Sequence, residues 1–194
     1  DVQPRDHNAV VRQVSMRLLV PQAVALRGAR PICLDLLEGR LELARAFGIE
    51  ITLNVAHSDP MTALRELTGG EGIDGAILTA VSGPILETML GALRAGGRVN
   101  LFADVSGPKH YQIDLSALWS QELSLLATYS TTPVELGEAI QLLASGVVQP
   151  LPLISHRFDL TRFEEGALLQ REGRATKVLF SPVGRTRPDG GERP

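Results

Sequence analysis

Arg30-Pro-Ile-Cys-Leu-Asp-Leu-Leu-Glu-Gly-Arg-Leu-Glu-Leu-Ala-Arg-Ala-Phe-Gly48 is the stretch from which the rest of the chain can be read. A short apolar run, Ile32-Cys33-Leu34, ends on an acid, Asp35. A helical pattern follows at once, with Leu37, Leu41 and Ala44 on one stripe, Leu43 and Phe47 beside it, and Gly48 as the stop. A strand that carries a carboxylate to its C-terminal tip and turns into a helix is a βα unit. In an open parallel sheet, ligands bind outside those carboxyl ends. A carboxylate there can accept both hydroxyls of an adenosine ribose, and Arg40, in the first helical turn, reaches the same nucleoside. Asp35 also suits a plain helix cap, and spacing alone leaves both readings open.

The same rhythm repeats on either side. Upstream, Ala9-Val10-Val11 suits a short strand, and Leu18, Leu19, Val20, Ala23, Val24 and Leu26 suit a mostly buried helix ending at Gly28. Pro21 fits that helix only within its first turn; any deeper, it would kink it at roughly 3 kcal/mol. Downstream, Ile51 to Val55 reads as a strand. Asp59 as cap and Pro60 at the first helical position then open a helix through Leu64 and Leu67, closed by Gly69-Gly70. Ala76 to Val81 reads as a buried strand. Beyond Gly83-Pro84, Leu86, Met89, Leu90 and Leu93 keep helical spacing up to Gly96-Gly97, and Val99 to Ala103 makes a fifth strand. Four β-then-α periods in succession argue for a parallel α/β sheet with right-handed crossovers.

The pattern loosens from Asp104 to Ser120 around the turn Ser106-Gly107-Pro108. Leu123 to Tyr129 resumes as a sixth strand, and Thr132-Pro-Val-Glu135 is a capping box. It opens a helix lined by Leu136, Ala139, Ile140 and Leu143 and ended by Gly146. A second box, Thr161 to Glu164, predicts a helix running towards Gly173, followed by a closing strand from Thr176 to Phe180. The chain thus divides into a linker over 1–7, one domain over 8–182, and a Pro-, Gly- and Arg-rich tail over 183–194 expected to be disordered.

Bulk properties narrow the class. The 194 residues, 44% hydrophobic and 21% charged, suit one soluble globular domain, and 4% aromatics call for an aliphatic core. A net charge of −3 argues against nucleic acid as a partner. The single cysteine excludes an internal disulfide and fits a reducing compartment, with Cys33 as a small core residue. With no membrane-length apolar run and no signal-peptide pattern, a cytoplasmic protein without a membrane partner is expected.

Taken together, Cys33 to Gly48, Leu64-Arg-Glu-Leu-Thr-Gly-Gly-Glu-Gly-Ile-Asp74, Leu93-Arg-Ala-Gly-Gly-Arg-Val-Asn-Leu-Phe102, Glu122 to Tyr129 and Leu153-Ile-Ser-His-Arg-Phe158 resemble, in order and spacing, a known family. It is the zinc-type medium-chain alcohol and polyol dehydrogenases, in their C-terminal, nucleotide-binding half and nearest the sorbitol and threonine dehydrogenase branch. The resemblance runs from about Gln3 to Pro182. It implies an α/β Rossmann-type doubly wound sheet of six mainly parallel strands with helices on both faces. It also implies NAD as cofactor and a homodimer joined through the last parallel strand. Carried over by position, Asp35 holds the adenine-side ribose with Arg40 beside it, and Met16 lies in the phosphate loop. Phe102, Ala103 and Asp104 line the nicotinamide side with Thr128 and Tyr129, and Lys177 matches a basic position near the pyrophosphate. Asp35 favours NAD over NADP, because a carboxylate repels a 2′-phosphate.

Relatives keep G-x-G-x-x-G between the first strand and helix, whereas here the stretch is Arg12-Gln-Val14-Ser-Met-Arg17. Side chains at all three glycine positions oppose a tight turn and close approach of the backbone to pyrophosphate, so NAD binding is expected to be weak or lost. Arg12 and Arg17 beside a helix N-terminus offer a charge-based grip on phosphate instead. The family's catalytic zinc belongs to an upstream domain, expected to be missing here. One cysteine and four scattered histidines (His7, His57, His110 and His156) supply no ligand spacing. His156, between Ile154 and Phe158, reads as a packed structural residue. The resemblance therefore implies the coenzyme domain of a dehydrogenase acting on a small alcohol or polyol, inactive by itself. The substituted glycines equally suit a non-catalytic Rossmann-like module kept for dimerisation or anion binding. A methyltransferase-like sheet holding S-adenosylmethionine through Asp35 is a third reading.

Overall fold

In the computed structural model, which describes residues 2–11, 18–103 and 110–182, the opening stretch forms the expected βα unit. Strand β2 runs Arg30–Asp35 and helix α2 runs Glu38–Ala46, with Leu41 and Ala44 buried. Gly48 follows at φ 81, where glycine is at ease and the helix ends. Strand β1 (His7–Val11) and helix α1 (Leu19–Leu26) precede this unit, and β3 (Ile51–Asn54), α3 (Pro60–Leu67) and β4 (Ile73–Leu78) follow. Pro21 is the third residue of α1, inside its first turn, so it costs no backbone hydrogen bond. The Asp59 carboxylate accepts the Thr62 N–H at 2.8 Å, the cap expected for α3.

Helix α4 (Gly83–Ala92), β5 (Leu93–Leu101), α5 (Leu115–Ser120), β6 (Ser124–Ala127) and α6 (Pro133–Ala144) complete a first unit, residues 1–148. Its six strands lie in the order β3-β2-β1-β4-β5-β6, and every neighbouring pair is parallel. The fold is α/β, a six-stranded parallel sheet flanked by helices, as read from the sequence. The chain builds outward from β1 to β3, returns, and builds outward again from β4. The reversal falls between β1 and β4, where sheets of this kind open a crevice at their carboxyl ends. Ala9, Val11, Ile32, Leu34, Ala76 and Leu78 share one face and pack with Leu64, Leu86 and Met89 from α3 and α4. Alternation turns Val10 and Cys33 to the opposite face, and both are fully buried.

Several boundaries differ from the expectation. Strand β4 starts at Ile73, directly behind Gly72, and stops at Leu78, so Thr79 to Val81 lie beyond it. Gly72 has φ 98, and a Cβ there would stand 2.7 Å from the Ala92 carbonyl oxygen and 2.8 Å from the Arg94 nitrogen. A glycine alone lets β4 begin that close to the α4–β5 junction. Strand β5 takes in Leu93 to Gly97, expected as the end of the preceding helix, through a register shift at its start. Phe102 and Ala103 consequently follow the strand rather than end it. Helix α5 occupies the stretch where the pattern loosens, capped by the Asp114 carboxylate, which accepts the Ser116 and Ala117 N–H groups.

The capping box of α6 is present: Thr132 N–H donates to Glu135 at 2.6 Å, and Glu135 N–H donates to the Thr132 hydroxyl at 3.5 Å. Yet α6 buries none of its residues; Leu136, Ile140 and Leu143 are 55%, 57% and 46% exposed. The apolar stripe is real but does not face the core.

The second unit, residues 149–194, holds the parallel pair β7 (His156–Asp159) and β8 (Val178–Ser181) with helix α7 (Phe163–Arg171). A 3-10 turn over Leu160–Arg162 displaces the start of α7, so Thr161 caps nothing and Arg162 pairs with Glu165 at 2.6 Å instead. His156 is half-buried and stacks on Phe158, ring centres 6.1 Å apart, in keeping with its structural reading.

Candidate functional site

The carboxyl ends of the strands bring sequence-predicted residues to one rim. Asp35 ends β2, Phe102 and Ala103 follow β5, and Thr128 follows β6. Neighbouring strands lie about 4.8 Å apart, so three strand spacings place the tips of β2 and β5 roughly 14 Å apart. The β1/β4 reversal lies between them. That span suits an elongated ligand with two separate ends better than a compact one.

Asp35 accepts the Leu37 N–H at 3.0 Å and faces the Arg40 guanidinium at 3.4 Å. Its side chain is 1% exposed and that of Arg40 29%. Asp35 does not cap α2 itself, whose N-cap is Leu37 with no side-chain cap bond. The carboxylate fixes the entry to α2 through an i to i+2 turn, and Arg40 sits at its outer side. Leu36 and Leu37, each 53% exposed, give this part of the rim an apolar lip. Next to it, Glu38 in the first turn of α2 accepts from Asn54 at 2.8 Å and Arg45 at 2.9 Å. Those hydrogen bonds, Asn54 first and then Arg45, hold the Glu38 carboxyl below its ordinary range. Helix α2 is thereby tied to the tip of β3.

The rim is stitched by bonds between successive strand tips. Val55 N–H donates to the Asp35 carbonyl at 3.1 Å, and Thr128 N–H to the Leu101 carbonyl at 3.1 Å. Phe102 and Ala103 N–H groups both donate to the Leu78 carbonyl, at 3.0 and 3.2 Å. At the reversal, the Thr79 hydroxyl donates to the Val11 carbonyl at 2.7 Å. The Thr128 hydroxyl donates to the Asn100 side chain at 2.7 Å. The Phe102 ring is 51% exposed and Tyr129 is fully exposed. Met16, Asp104 and the stretch 12–17 lie outside the described residues. Lys177 belongs to the second unit, where its carbonyl accepts from Ser155 and His156 N–H groups.

A nucleotide fits the chemistry of this rim: a carboxylate with a guanidinium at one end, exposed apolar side chains at both, and a seam between. To reach a ribose, the carboxylate must exchange Arg40 for the sugar hydroxyls, since its described partners already enclose it. Zinc does not fit the described residues, among which no group of three or more His, Cys, Asp or Glu side chains is placed to hold a metal ion. His57 and His110 are exposed, and His7 lies at the amino end of β1, 3.9 Å from Asp74. Thr79 escaped the sequence reading. Its only signal was a hydroxyl inside the apolar run Ala76 to Val81.

Comparison with known proteins agrees with this geometry. The family model described as zinc-binding dehydrogenase matches residues 18–145. An L-threonine 3-dehydrogenase of Shigella sonnei is 30% identical over 155 residues, covering 79% of this chain and 45% of that protein. The alcohol dehydrogenase TADH from Thermus sp. ATN1 superposes with a TM-score of 0.88 at 26% identity, over 93% of this chain and 52% of the other. An NAD-dependent alcohol dehydrogenase gives a TM-score of 0.78 at 26% identity, over 94% and 52%. The chain spans about half the length of the relatives it matches. The matched span covers most of the first unit, and the chain belongs to the zinc-binding dehydrogenase family, with a Rossmann-type fold.

Proposed function

We propose that this chain is the NAD-binding half of a dehydrogenase that moves a hydride from a small alcohol or polyol to the nicotinamide, with zinc and substrate held by the half its relatives carry in addition. NAD, when bound, supplies the hydride acceptor. The observation that carries the reading is the acid at the tip of β2, set across the β1/β4 reversal from Phe102 in a chain of this family. In this reading Asp35 accepts the ribose hydroxyls once Arg40 swings aside, Arg40 then flanks the adenine side, and Leu36 and Leu37 give it an apolar seat. Phe102, Ala103, Thr128 and Tyr129 border the nicotinamide end, and Asp104 and Met16 complete the set. Affinity is weak, because Arg12, Val14 and Arg17 replace the glycines that admit a pyrophosphate. Two copies join through the outer edge of β6, all four residues of which are exposed. A cytoplasmic setting suits the single, buried Cys33.

Titrating NADH and NADPH by fluorescence, against this chain and against a form carrying the relatives' other half, tests the reading. Weak NADH binding, with NADPH weaker still, is expected in both, and Asp35→Ala should erase the difference. No binding of either nucleotide to either form overturns it.

The near-complete enclosure of the Asp35 carboxylate favours a second reading, a Rossmann-like dimerisation or anion-binding module without catalysis. That module sediments as a dimer and ignores NADH.

A further inference from the structure

The seam between β1 and β4 carries one more functional element. Parallel sheets of this order bind ligands where the strand order reverses, and here that reversal is bridged by a side chain. Thr79 is fully buried, and its hydroxyl donates to the carbonyl of Val11, the last residue of β1, at 2.7 Å. Its neighbour Leu78 offers the carbonyl that takes both Phe102 and Ala103 N–H groups. One dipeptide at the tip of β4 therefore holds both the last carbonyl of β1 and the first residues beyond β5. A lone hydroxyl is out of character in the run Ala76-Ile-Leu-Thr-Ala-Val81, where a valine of the same shape would pack as well and donate nothing. The placement concerns the ligand side of the sheet, since β1 and β4 are already paired along their length from Asn8 to Val11 and from Gly75 to Leu78.

We propose that Thr79 is a positioning residue of the coenzyme site, holding the last carbonyl of β1 against the tip of β4 and so the fit of the dinucleotide across the reversal. This rests on the coenzyme reading above. Adenosine engages only the β2 end of the rim, two strand positions from Thr79, and so reports on the site without crossing the seam.

The test compares wild type, Thr79→Val and Thr79→Ser, with NADH binding followed by fluorescence, adenosine binding by NMR titration, and thermal unfolding of each protein. Thr79→Val should weaken NADH about tenfold, the equivalent of one buried hydrogen bond. Adenosine binding should stay unchanged, and Thr79→Ser, which keeps the donor, should restore most of the NADH affinity. A Thr79→Val protein that binds NADH like wild type, whatever its melting temperature, overturns the role. Equal loss of NADH and adenosine also overturns it, since that marks general loosening. A wild type that binds adenosine and NADH not at all brings down the coenzyme reading itself, and this role with it.

Discussion

Asp74→Asn should destabilise the first unit by about 1–2 kcal/mol at neutral pH and by progressively less as pH falls through the acid range. Asp74 lies at the opposite end of the sheet from the candidate site, where its carboxylate accepts the His7 N–H at 2.7 Å and Arg94 Nε at 2.6 Å. It thereby joins the amino ends of β1, β4 and β5. Its side chain is 15% exposed and that of Arg94 39%. A hydrogen bond to a charged group is worth about 1.5–3 kcal/mol, but the exposed Arg94 brings its share down to about 1 kcal/mol or less. Asparagine keeps an acceptor for His7, which is why the loss stays near the lower figure. Partial burial pushes the Asp74 carboxyl up, while the His7 N–H, the Arg94 hydrogen bond and the Arg94 charge together pull it further down, so the net shift is downward. A folded-state value below the unfolded one gives stability that is present above about pH 4 and lost as pH falls through the folded value. Urea unfolding followed by circular dichroism at pH 7, 5, 4 and 3 reads this directly. The midpoint gap between wild type and variant should be about 0.5–1 M at pH 7 and should narrow steadily towards the acid end. A gap of the same size at pH 7 and pH 3 would refute the carboxylate account.

Three other outcomes follow from particular contacts. Gly166→Ala gains about 1 kcal/mol of helix propensity. The new Cβ would meet Phe180 Cζ at 2.5 Å and Phe158 Cδ2 at 2.9 Å, an overpacking worth about 1–3 kcal/mol. A lower melting temperature is expected, and a raised one would show that the rings yield freely. Arg5 holds φ 73 and is exposed while its N–H donates to the Gly28 carbonyl. Arg5→Gly should therefore stabilise by about 0.5–1 kcal/mol, the relieved strain less the entropy of a freer unfolded chain; an unchanged or lower urea midpoint counts against it. Leu126→Lys on the exposed β6 should shift sedimentation from dimer to monomer, and a dimer unmoved by the charge would place the contact elsewhere.

The strands of the first unit were legible as short apolar runs between turn residues, those of β1, β2 and β4 because a parallel strand covered on both faces is apolar throughout. Their ends were not. Backbone geometry at Gly72 and the register shift after Ile73 set where β4 and β5 begin, and neither leaves a mark in hydropathy. Helix α5 is six residues long and buries nothing, so it had no stripe to read. The α6 stripe was legible as a helix face, but periodicity tells which residues want cover and not what covers them. Thr161 and Glu164 have capping-box spacing, but the 3-10 turn at Leu160–Arg162 places the helix start after Thr161. At the candidate site, the placement of Asp35 at the tip of β2 and of Arg40 in the first turn of α2 was legible from spacing. Their mutual engagement was not, because it depends on a rotamer choice that sequence spacing permits without dictating.

Gly72 teaches something about how such a domain can drift. The atoms that would collide with a side chain there are Ala92 O, Arg94 N and Leu93 C, all main chain, so no neighbouring substitution can make room. The glycines that admit a pyrophosphate answer to a visitor; this one answers to the scaffold's own spine. A randomised library screened only for soluble, folded protein should return glycine alone at position 72 and tolerate many residues at 12, 14 and 17, separating the demands of architecture from those of occupancy.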